Sequence, residues 1–371
     1  MPRVLFAERR LVHYRVPLLR QLVSWLAGRG VELHFAHGAP AASEVSRRDA
    51  GEWPDARALP TRYWVGERLV WMPVPTAGYD LVVCDHANRL LFNLWLCRAG
   101  RPFRLAWFGH GTDFAGPGQG VREALRRFTL RRADWWFAYT ERTRRVLLEA
   151  GFAPGRITVV DNAVDTSALR AGIAAQPPAA VRAVRDAHGL VPGKTALFIG
   201  SLYAAKGLDR LVAVARRVSA ADAQFRLLVV GDGPQREALL EQARGVDALR
   251  WLGALNGDAK ARVMAACDFL LLPAAVGLAV LDGFAAGLPL LATDAPGHGP
   301  EIAYLEPGRN GTLTAPGAAA LADAVVGLLQ DPSRLARWRA AAAQDGQRFT
   351  VEAMAARFGQ GVLDALAAPL R

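Results

Sequence analysis

Four segments in the second half of the chain join glycine to a charged side chain at spacings that phosphate and hydroxyl recognition requires. In the first, Leu197-Phe198-Ile199 runs into Gly200-Ser201-Leu202 and then Lys206-Gly207: an apolar strand, a glycine turn and a lysine at the next helix start. Free N–H groups there, with one ammonium, suit a diphosphate. The second, Val229-Val230-Gly231-Asp232-Gly233-Pro234, is a strand that ends in a tight turn. The third runs from Pro273 through Gly277, Leu278 and Ala279 into a helix, with Asp282 about one turn inside and within reach of ribose hydroxyls. The fourth, Gly297-His298-Gly299-Pro300-Glu301, is a glycine-rich loop with one carboxylate. Any one of them could be only a turn; four in this order point to a nucleotide-binding surface. No G-x-G-x-x-G opens either half and no G-x-x-x-x-G-K-[ST] occurs, so NAD and P-loop readings lose their main support. Cys84, Cys97 and Cys267 lack metal or C-x-x-C spacing, which argues against a zinc module or disulfide scaffold and fits a reducing compartment.

These segments need strands to carry them, and the sequence supplies the pattern. In the first half Val4–Ala7, Val31–Ala36, Leu81–Cys84, Arg104–Phe108, Trp135–Tyr139 and Ile157–Val160 read as buried strands. Helical periodicity separates them at Pro17–Arg29, Arg89–Arg98, Val121–Arg132 and Thr140–Ala150. The rhythm restarts with strands at Thr195–Ile199, Phe225–Val230, Leu249–Leu252, Phe269–Leu272 and Leu288–Ala292, and after Ala315 the chain reads as almost all helix. Such alternation means parallel sheets covered on both faces, here two doubly wound α/β domains with Ala171–Pro178 as the expected linker. The 371 residues, 52% hydrophobic and 21% charged with 36 glycines and 22 prolines, exclude disorder and collagen-like architectures. The first ten residues hold too short an apolar run for a secretory signal, and no apolar stretch is long enough to span a bilayer.

In sequence order these pieces resemble the retaining nucleotide-sugar glycosyltransferases of family 4. The family's G-R-L-x-x-x-K-G looks like Gly200-Ser201-Leu202 through Lys206-Gly207, and its V-x-G-x-G-P like Val229 to Pro234. Its F-x-G-x-V loop resembles Trp251-Leu252-Gly253-Ala254-Leu255, and its A-D-x-x-x-x-P strand Ala266-Cys267-Asp268 through Pro273. Upstream, Asp161-Asn162-Ala163-Val164-Asp165 resembles an interdomain segment, Trp107-Phe108-Gly109-His110-Gly111 a cleft histidine segment, and His13-Tyr14-Arg15-Val16-Pro17 an H-Y-R-x-P opening. The resemblance covers nearly the whole chain and implies the GT-B fold: two doubly wound Rossmann-like domains facing across a cleft. Residues 1–170 would bind the acceptor, joined by a returning C-terminal helix at 352–371, and 180–351 would bind the donor. It further implies front-face transfer with retention, with neither metal nor cofactor and a nucleoside-diphosphate sugar as substrate. Lys206 and His110 would be catalytic, Lys206 on the departing phosphate and His110 on the sugar. Gly200, Ser201, Lys206, Gly231, Ala254, Leu255, Gly277, Leu278, Ala279, Asp282 and Glu301 would hold the donor; Arg9, His13 and Arg15 would grip the acceptor. Three positions depart from the pattern. The Glu-x7-Glu element falls on Ala274 and Asp282, the phosphate-binding arginine is Ser201, and Glu8-Arg9-Arg10 replaces a glycine pair. Lys206 is then the one evident local cation, and Glu301 a candidate to replace the lost carboxylate.

The net charge of +11 is uneven: residues 1–170 carry +9 and residues 171–371 only +2. Arg122, Arg126, Arg127, Arg131 and Arg132 recur at helical spacing, followed by Arg142, Arg144 and Arg145, and such clusters are drawn to anionic bilayers. The leading expectation is a sugar transferase, peripheral on the inner face of the cytoplasmic membrane, that builds lipopolysaccharide or exopolysaccharide on a lipid-linked or glycan acceptor. A catalytically weak GT-B partner subunit is the alternative, favoured by Ala274 and Ser201. Nucleic-acid binding has only the charge behind it, and no nucleic-acid partner is expected.

Overall fold

The computed structural model describes residues 1–45, 49–87, 89–111 and 121–370, the side chains of Val121 and Arg122 excepted. Contacts divide these residues into two compact units, and the chain changes unit between Asp165 and Thr166. Unit 1 takes the residues up to 165 and returns for those from Thr350 onward; unit 2 takes 166–349.

Unit 1 contains β1 (Arg3–Glu8), β2 (Glu32–His37), β3 (Arg57–Ala58), β4 (Arg62–Trp64), β5 (Leu69–Trp71), β6 (Leu81–Asp85), β7 (Arg104–Gly109), β8 (Trp135–Ala138) and β9 (Ile157–Val159). Its helices are α1 (Val16–Ala27), α2 (Ala42–Val45), α3 (Phe92–Leu96), α4 (Val121–Arg131) and α5 (Glu141–Glu149). Seven strands form one parallel sheet in the order β3-β2-β1-β6-β7-β8-β9, while β4 and β5 make a separate antiparallel hairpin. The central strands are buried on both faces, which is why Val4–Ala7 and Trp135–Ala138 read as unbroken apolar runs instead of alternating ones.

Unit 2 contains β10 (Thr195–Ile199), β11 (Arg226–Val230), β12 (Leu249–Trp251), β13 (Phe269–Leu272), β14 (Leu290–Thr293) and β15 (Gly311–Thr314), all parallel in the order β12-β11-β10-β13-β14-β15. Around them lie α6 (Ser167–Ala174), α7 (Pro178–His188), α8 (Leu208–Ala221), α9 (Arg236–Gln242), α10 (Gly257–Ala266), α11 (Ala279–Ala285), α12 (Ala318–Leu329) and α13 (Pro332–Arg348). The expected linker at 171–178 is therefore not one. Its first half belongs to α6, which packs against α10 because Gly172 allows an approach in which an added Cβ would sit 3.2 Å from the Ala261 methyl, and its last residue opens α7. Close helix–strand packing also needs Gly283, where a side chain would overlap Leu270.

The last helix, α14 (Val351–Ala367), belongs to unit 1 and lies on α1 and the β7–β9 side of its sheet. Phe358 stacks on Phe137 at 4.1 Å and meets Phe6 and Phe108 at 5.3 and 5.4 Å, closing one side of the core. Thr350 caps the helix by accepting from Ala353 N–H at 3.2 Å.

Candidate active site

In each sheet the strand order reverses once, and open α/β sheets take their ligands outside the carboxyl ends of the strands at that point. In unit 2 the reversal lies between β10 and β13. Gly200 N–H donates to Val230 O at 3.0 Å, Leu202 N–H to Asp232 O at 2.9 Å and Gly231 N–H to Gly253 O at 2.8 Å. Three successive strand-end turns are thus laced backbone to backbone. Only glycine permits this: at Gly231, with φ +145°, a Cβ would overlap Gly200 O, and at Gly233 it would lie 2.5 Å from Leu202 O. The turn after β12 carries exposed Ala254 and half-buried Leu255, and Trp251 Nε1 donates to Gly231 O at 2.9 Å.

Across the reversal, Lys206 is buried with its stem lying against Gly200. Its Nζ donates to Ala275 O at 2.7 Å. Burial pushes this ammonium below the usual lysine range, and the Glu301 carboxylate pulls the other way. Ala275 has φ +40°, a left-handed conformation that a residue with a Cβ adopts at a cost, and it is the carbonyl that Lys206 holds. A second brace comes from His298, whose Nδ1 accepts from Val276 N–H at 3.0 Å while its Nε2 lies 2.8 Å from Thr293 O. Those partners require the neutral tautomer protonated at Nε2. Gly299 N–H donates to Val276 O at 2.7 Å, so the loop after β14 is stitched onto the loop after β13. Glu301, buried in the turn Pro300–Tyr304, comes so close that a Cβ on Gly299 would sit 2.6 Å from its Oε2 and 3.1 Å from Val276 O. Its carboxylate therefore lies over the backbone that leads to Gly277, Leu278 and Ala279. Asp282, in the first turn of α11, pairs with Lys260 of α10 at 2.7 Å. Lys206 is consequently not the one local cation, as the sequence suggested; Lys260 is a second, brought in from 22 residues upstream.

In unit 1 the reversal lies between β1 and β6, whose last residues are Glu8 and Asp85. Glu8 is 4% exposed; its Oε1 pairs with Arg15 Nε at 3.0 Å. Arg15 also donates to Asn162 Oδ1 and Tyr139 Oη, each at 3.3 Å, and its guanidinium stands 5.0 Å from the Phe108 ring centre. The Tyr139 ring packs edge-on at 4.3 Å against His110, which is set between Gly109 (φ +149°) and Gly111 (φ +68°). A connected polar cluster thus runs from Glu8 through Arg15 and Tyr139 to His110. Burial raises the Glu8 carboxyl to about 8, partly offset by Arg15 and reinforced by Asp85, and burial raises Asp85 as well. Next to this cluster Arg9 makes a bidentate pair with Glu44, both bonds 2.7 Å, and its backbone N–H donates to Asp85 at 2.8 Å. Arg10 does the same with Asp49 at 2.6 and 2.8 Å, and His13 is exposed with Nδ1 3.2 Å from Asp49 O.

Of the residues expected to grip an acceptor, Arg9 and Arg15 are thus engaged by internal carboxylates, and His13 alone is exposed. The supposed basic face of α4 is also revised. Arg126 is buried, bonded to Glu123 and to the Gly111 carbonyl, so it braces the His110 turn instead of facing outward. Arg127, Arg131 and Arg132 are exposed, Arg131 while donating to Ala150 O at 2.9 Å; the Arg122 side chain lies outside the described ones. The sequence reading passed over Asp85, Tyr139, Lys260 and His298. Asp85 closes a buried strand and Tyr139 follows one, which was the available signal, and His298 stood in the fourth glycine-rich segment without a role. Among the described residues no three His, Cys, Asp or Glu side chains group to hold a metal ion, and no helix is long and apolar enough to cross a membrane.

Comparison with known proteins places this geometry. Residues 18–168 match the family model described as Glycosyltransferase Family 4, and residues 193–331 match Glycosyl transferases group 1. The chain is 34% identical to a 2-deoxystreptamine glucosyltransferase of Streptomyces kanamyceticus over 57% of its own length, and it spans 55% of that protein. It is 30% identical to D-inositol 3-phosphate glycosyltransferase 2 of Catenulispora acidiphila, over 80% of this chain and 68% of the relative. Among solved structures, Anabaena HepE in complex with UDP superposes with a TM-score of 0.69 at 18% identity, covering 98% of this chain and 100% of that one. Both units have counterparts in a single fold, the GT-B arrangement of two Rossmann-like domains.

Proposed function

The chain belongs to the GT-B glycosyltransferases, with a family 4 domain followed by a group 1 domain, and from that premise we propose a retaining, metal-independent hexosyltransferase. In this reading it moves a sugar from a nucleoside-diphosphate donor to a membrane-associated glycan or lipid, as lipopolysaccharide or exopolysaccharide assembly requires. The observation that carries the donor half is the laced set of turns at Gly200, Gly231 and Gly253 with Lys206 beneath it. The lacing spends the N–H groups of Gly200, Leu202 and Gly231 on neighbouring carbonyls and so fixes the turns beside Lys206, a charge site that need not reorganise its backbone for a departing diphosphate. Lys206 supplies the ammonium by exchanging Ala275 O for phosphate oxygen. Glu301 and Asp282 offer carboxylates to sugar and ribose hydroxyls, and His110 in unit 1 serves the transferred sugar. Unit 1 takes the acceptor, His13 being the exposed member of the residues assigned to it. No protein nucleophile is needed, because the acceptor hydroxyl attacks on the face the diphosphate leaves. The protein's work is positioning and charge stabilisation.

The test is purified protein with UDP- and GDP-sugars and release of nucleoside diphosphate as the readout. A matching nucleoside diphosphate raises the melting temperature by mass action. Lys206→Ala lowers turnover about 100-fold or more, the usual cost of one preorganised charge contact on a developing anion. Wild-type turnover in that variant would remove the phosphate assignment. Ala274, Ser201 and the internal engagement of Lys206 favour a second reading, a binding or partner subunit of a glycan-assembly complex. It is the outcome if nucleoside diphosphate binds but no sugar is released or transferred.

A further inference from the structure

Half of the exposed large hydrophobic side chains among the described residues fall in one stretch of unit 1. They are Trp64, Val65, Trp71, Leu94 and Trp95, between 36% and 65% exposed. The ladder of the β4–β5 hairpin explains the first of them. Tyr63 pairs with Val70, and this face turns inward: Val70 is fully buried and Tyr63 packs on the core. Trp64 opposite Leu69, and Arg62 opposite Trp71, then occupy the outward face, since side chains alternate along a strand. Strand β5 is tied to the start of α3, with Val70 N–H donating to Arg89 O at 2.8 Å and Leu91 N–H to Val70 O at 2.9 Å. That bridge continues the aromatic surface onto the helix. Trp71 meets Phe92 edge-on at 5.3 Å, and Phe92 stacks with Trp95 at 4.7 Å. At the hairpin tip Val65, Gly66 and Glu67 have φ of +52°, +59° and +66°. A β-branched residue in that region is strained, and here it holds an apolar side chain out in water.

The exposed charge on this surface is mainly basic. Arg62 and Arg68 are exposed on the hairpin and Arg98 lies 3.5 Å over the Trp95 ring, whereas Arg89 and Arg101 are engaged by Glu44 and Asp134. The single acid of the hairpin, Glu67, is occupied by the Ser43 backbone N–H and hydroxyl. Exposed apolar clusters of this size on a soluble surface mark an interaction site. Tryptophan has an apolar body with a polar N–H, and it collects where hydrocarbon meets headgroups; arginine beside it matches lipid phosphate. A second copy of the chain fits worse, because a twofold interface would set Arg62, Arg68 and Arg98 against their own counterparts.

We propose that the β4–β5 hairpin and α3 form the membrane-docking surface of this protein, seating Trp64, Trp71 and Trp95 in the interface of an anionic bilayer. The arginines of α4 are not the principal attachment. The proposal deepens the membrane-acceptor reading above and rests on it for its purpose, but its test uses neither donor nor acceptor. A protein that floats with vesicles yet transfers no sugar overturns that reading alone; one that transfers sugar without floating overturns this one. The experiment is flotation with phosphatidylcholine vesicles, with and without phosphatidylglycerol, comparing wild type, Trp64→Ser/Trp95→Ser and Arg127→Ser/Arg132→Ser. All four replaced side chains are exposed, so the folds should survive, and melting temperatures check this. The tryptophan variant should lose about tenfold or more in partitioning, and the α4 variant should stay close to wild type. Independently of any variant, lipids brominated near the headgroup should quench the wild-type tryptophan emission. Equal flotation of the tryptophan variant, or absence of quenching, overturns the proposal. So does a concentration-dependent dimer that the tryptophan substitutions abolish while vesicles bind neither protein.

Discussion

Glu8 shows how one residue can tie site chemistry to stability. Its carboxyl stands where the unit 1 sheet reverses, is raised to about 8 chiefly by burial, and is held by Arg15 at 3.0 Å. A carboxyl whose folded value lies above its unfolded one binds more protons when folded. Its stabilising contribution is complete below about 4.5 and disappears as pH rises toward 8. His86 acts in the opposite direction, because burial lowers it to about 3 and its contribution is lost as pH falls. The comparison must therefore be with Glu8→Gln, which keeps His86 and removes the Glu8 titration together with its coupling to Asp85. Between pH 5 and pH 8 wild type should lose stability relative to that variant, on the order of 3 kcal/mol in urea unfolding. Parallel profiles would show that Glu8 is ionised throughout. None of this was legible in the sequence, where Glu8 was only a departure from a glycine pair. Its partner Asp85 is distant in the chain, and only the pairing of β1 with β6 makes them neighbours. Lys206 was legible because glycine and helix start sit beside it, but its hold on Ala275 O, 69 residues on, was not.

At the scale of elements, the strands that were easiest to read are those buried on both faces. Thr195–Ile199 and Phe269–Leu272 were expected at those limits, and most others differ by one or two residues. What escaped notice was short or lay at an edge: β3 with two residues, β15, and the β4–β5 hairpin with its outward tryptophans. Such strands lack the continuous apolar run that reveals a central one, and a two-faced hairpin of three-residue strands offers too little alternation to recognise. The strand-end turns of unit 2 allow a direct test of whether packing between elements, not local flexibility, calls for glycine. Gly231→Ala drives a methyl into Gly200 O at φ +145°, so the turns after β10 and β11 must part. Gly277→Ala meets nothing within 4 Å. The first should cost about 2 kcal/mol or more and abolish nucleoside diphosphate binding in calorimetry, whereas the second should change stability by about 0.5 kcal/mol or less. Similar losses in both would mean that the lacing of the turns has no special role.

For the whole molecule, the order of the chain and the grouping of its parts do not coincide. Unit 2 is one continuous run from Thr166 to Phe349, but unit 1 is completed by α14. The sequence suggested this return through its resemblance to GT-B proteins, and the packing shows what makes it tight. Gly359 lies so near Trp25 of α1 that a Cβ would overlap the indole, and at Gly361 one would stand 2.8 Å from Phe137 of β8 and overlap Thr158 of β9. Two glycines thus let the helix backbone sink onto α1 and the sheet, with Phe358 entering between Phe6, Phe108 and Phe137. Gly359→Val should be an overpacking substitution worth about 2 kcal/mol, and its effect should stay within one unit although the residue lies near the far end of the chain. Hydrogen exchange distinguishes the outcomes, because amides report opening segment by segment. Exchange should quicken in β1, β7 and β8, which are separated from position 359 by some 200 residues or more, while β10 and β13, nearer in sequence, keep wild-type protection. Faster exchange in β10 and β13 as well would mean that the units open together, and no change in β1 would mean that α14 is not part of the unit 1 core.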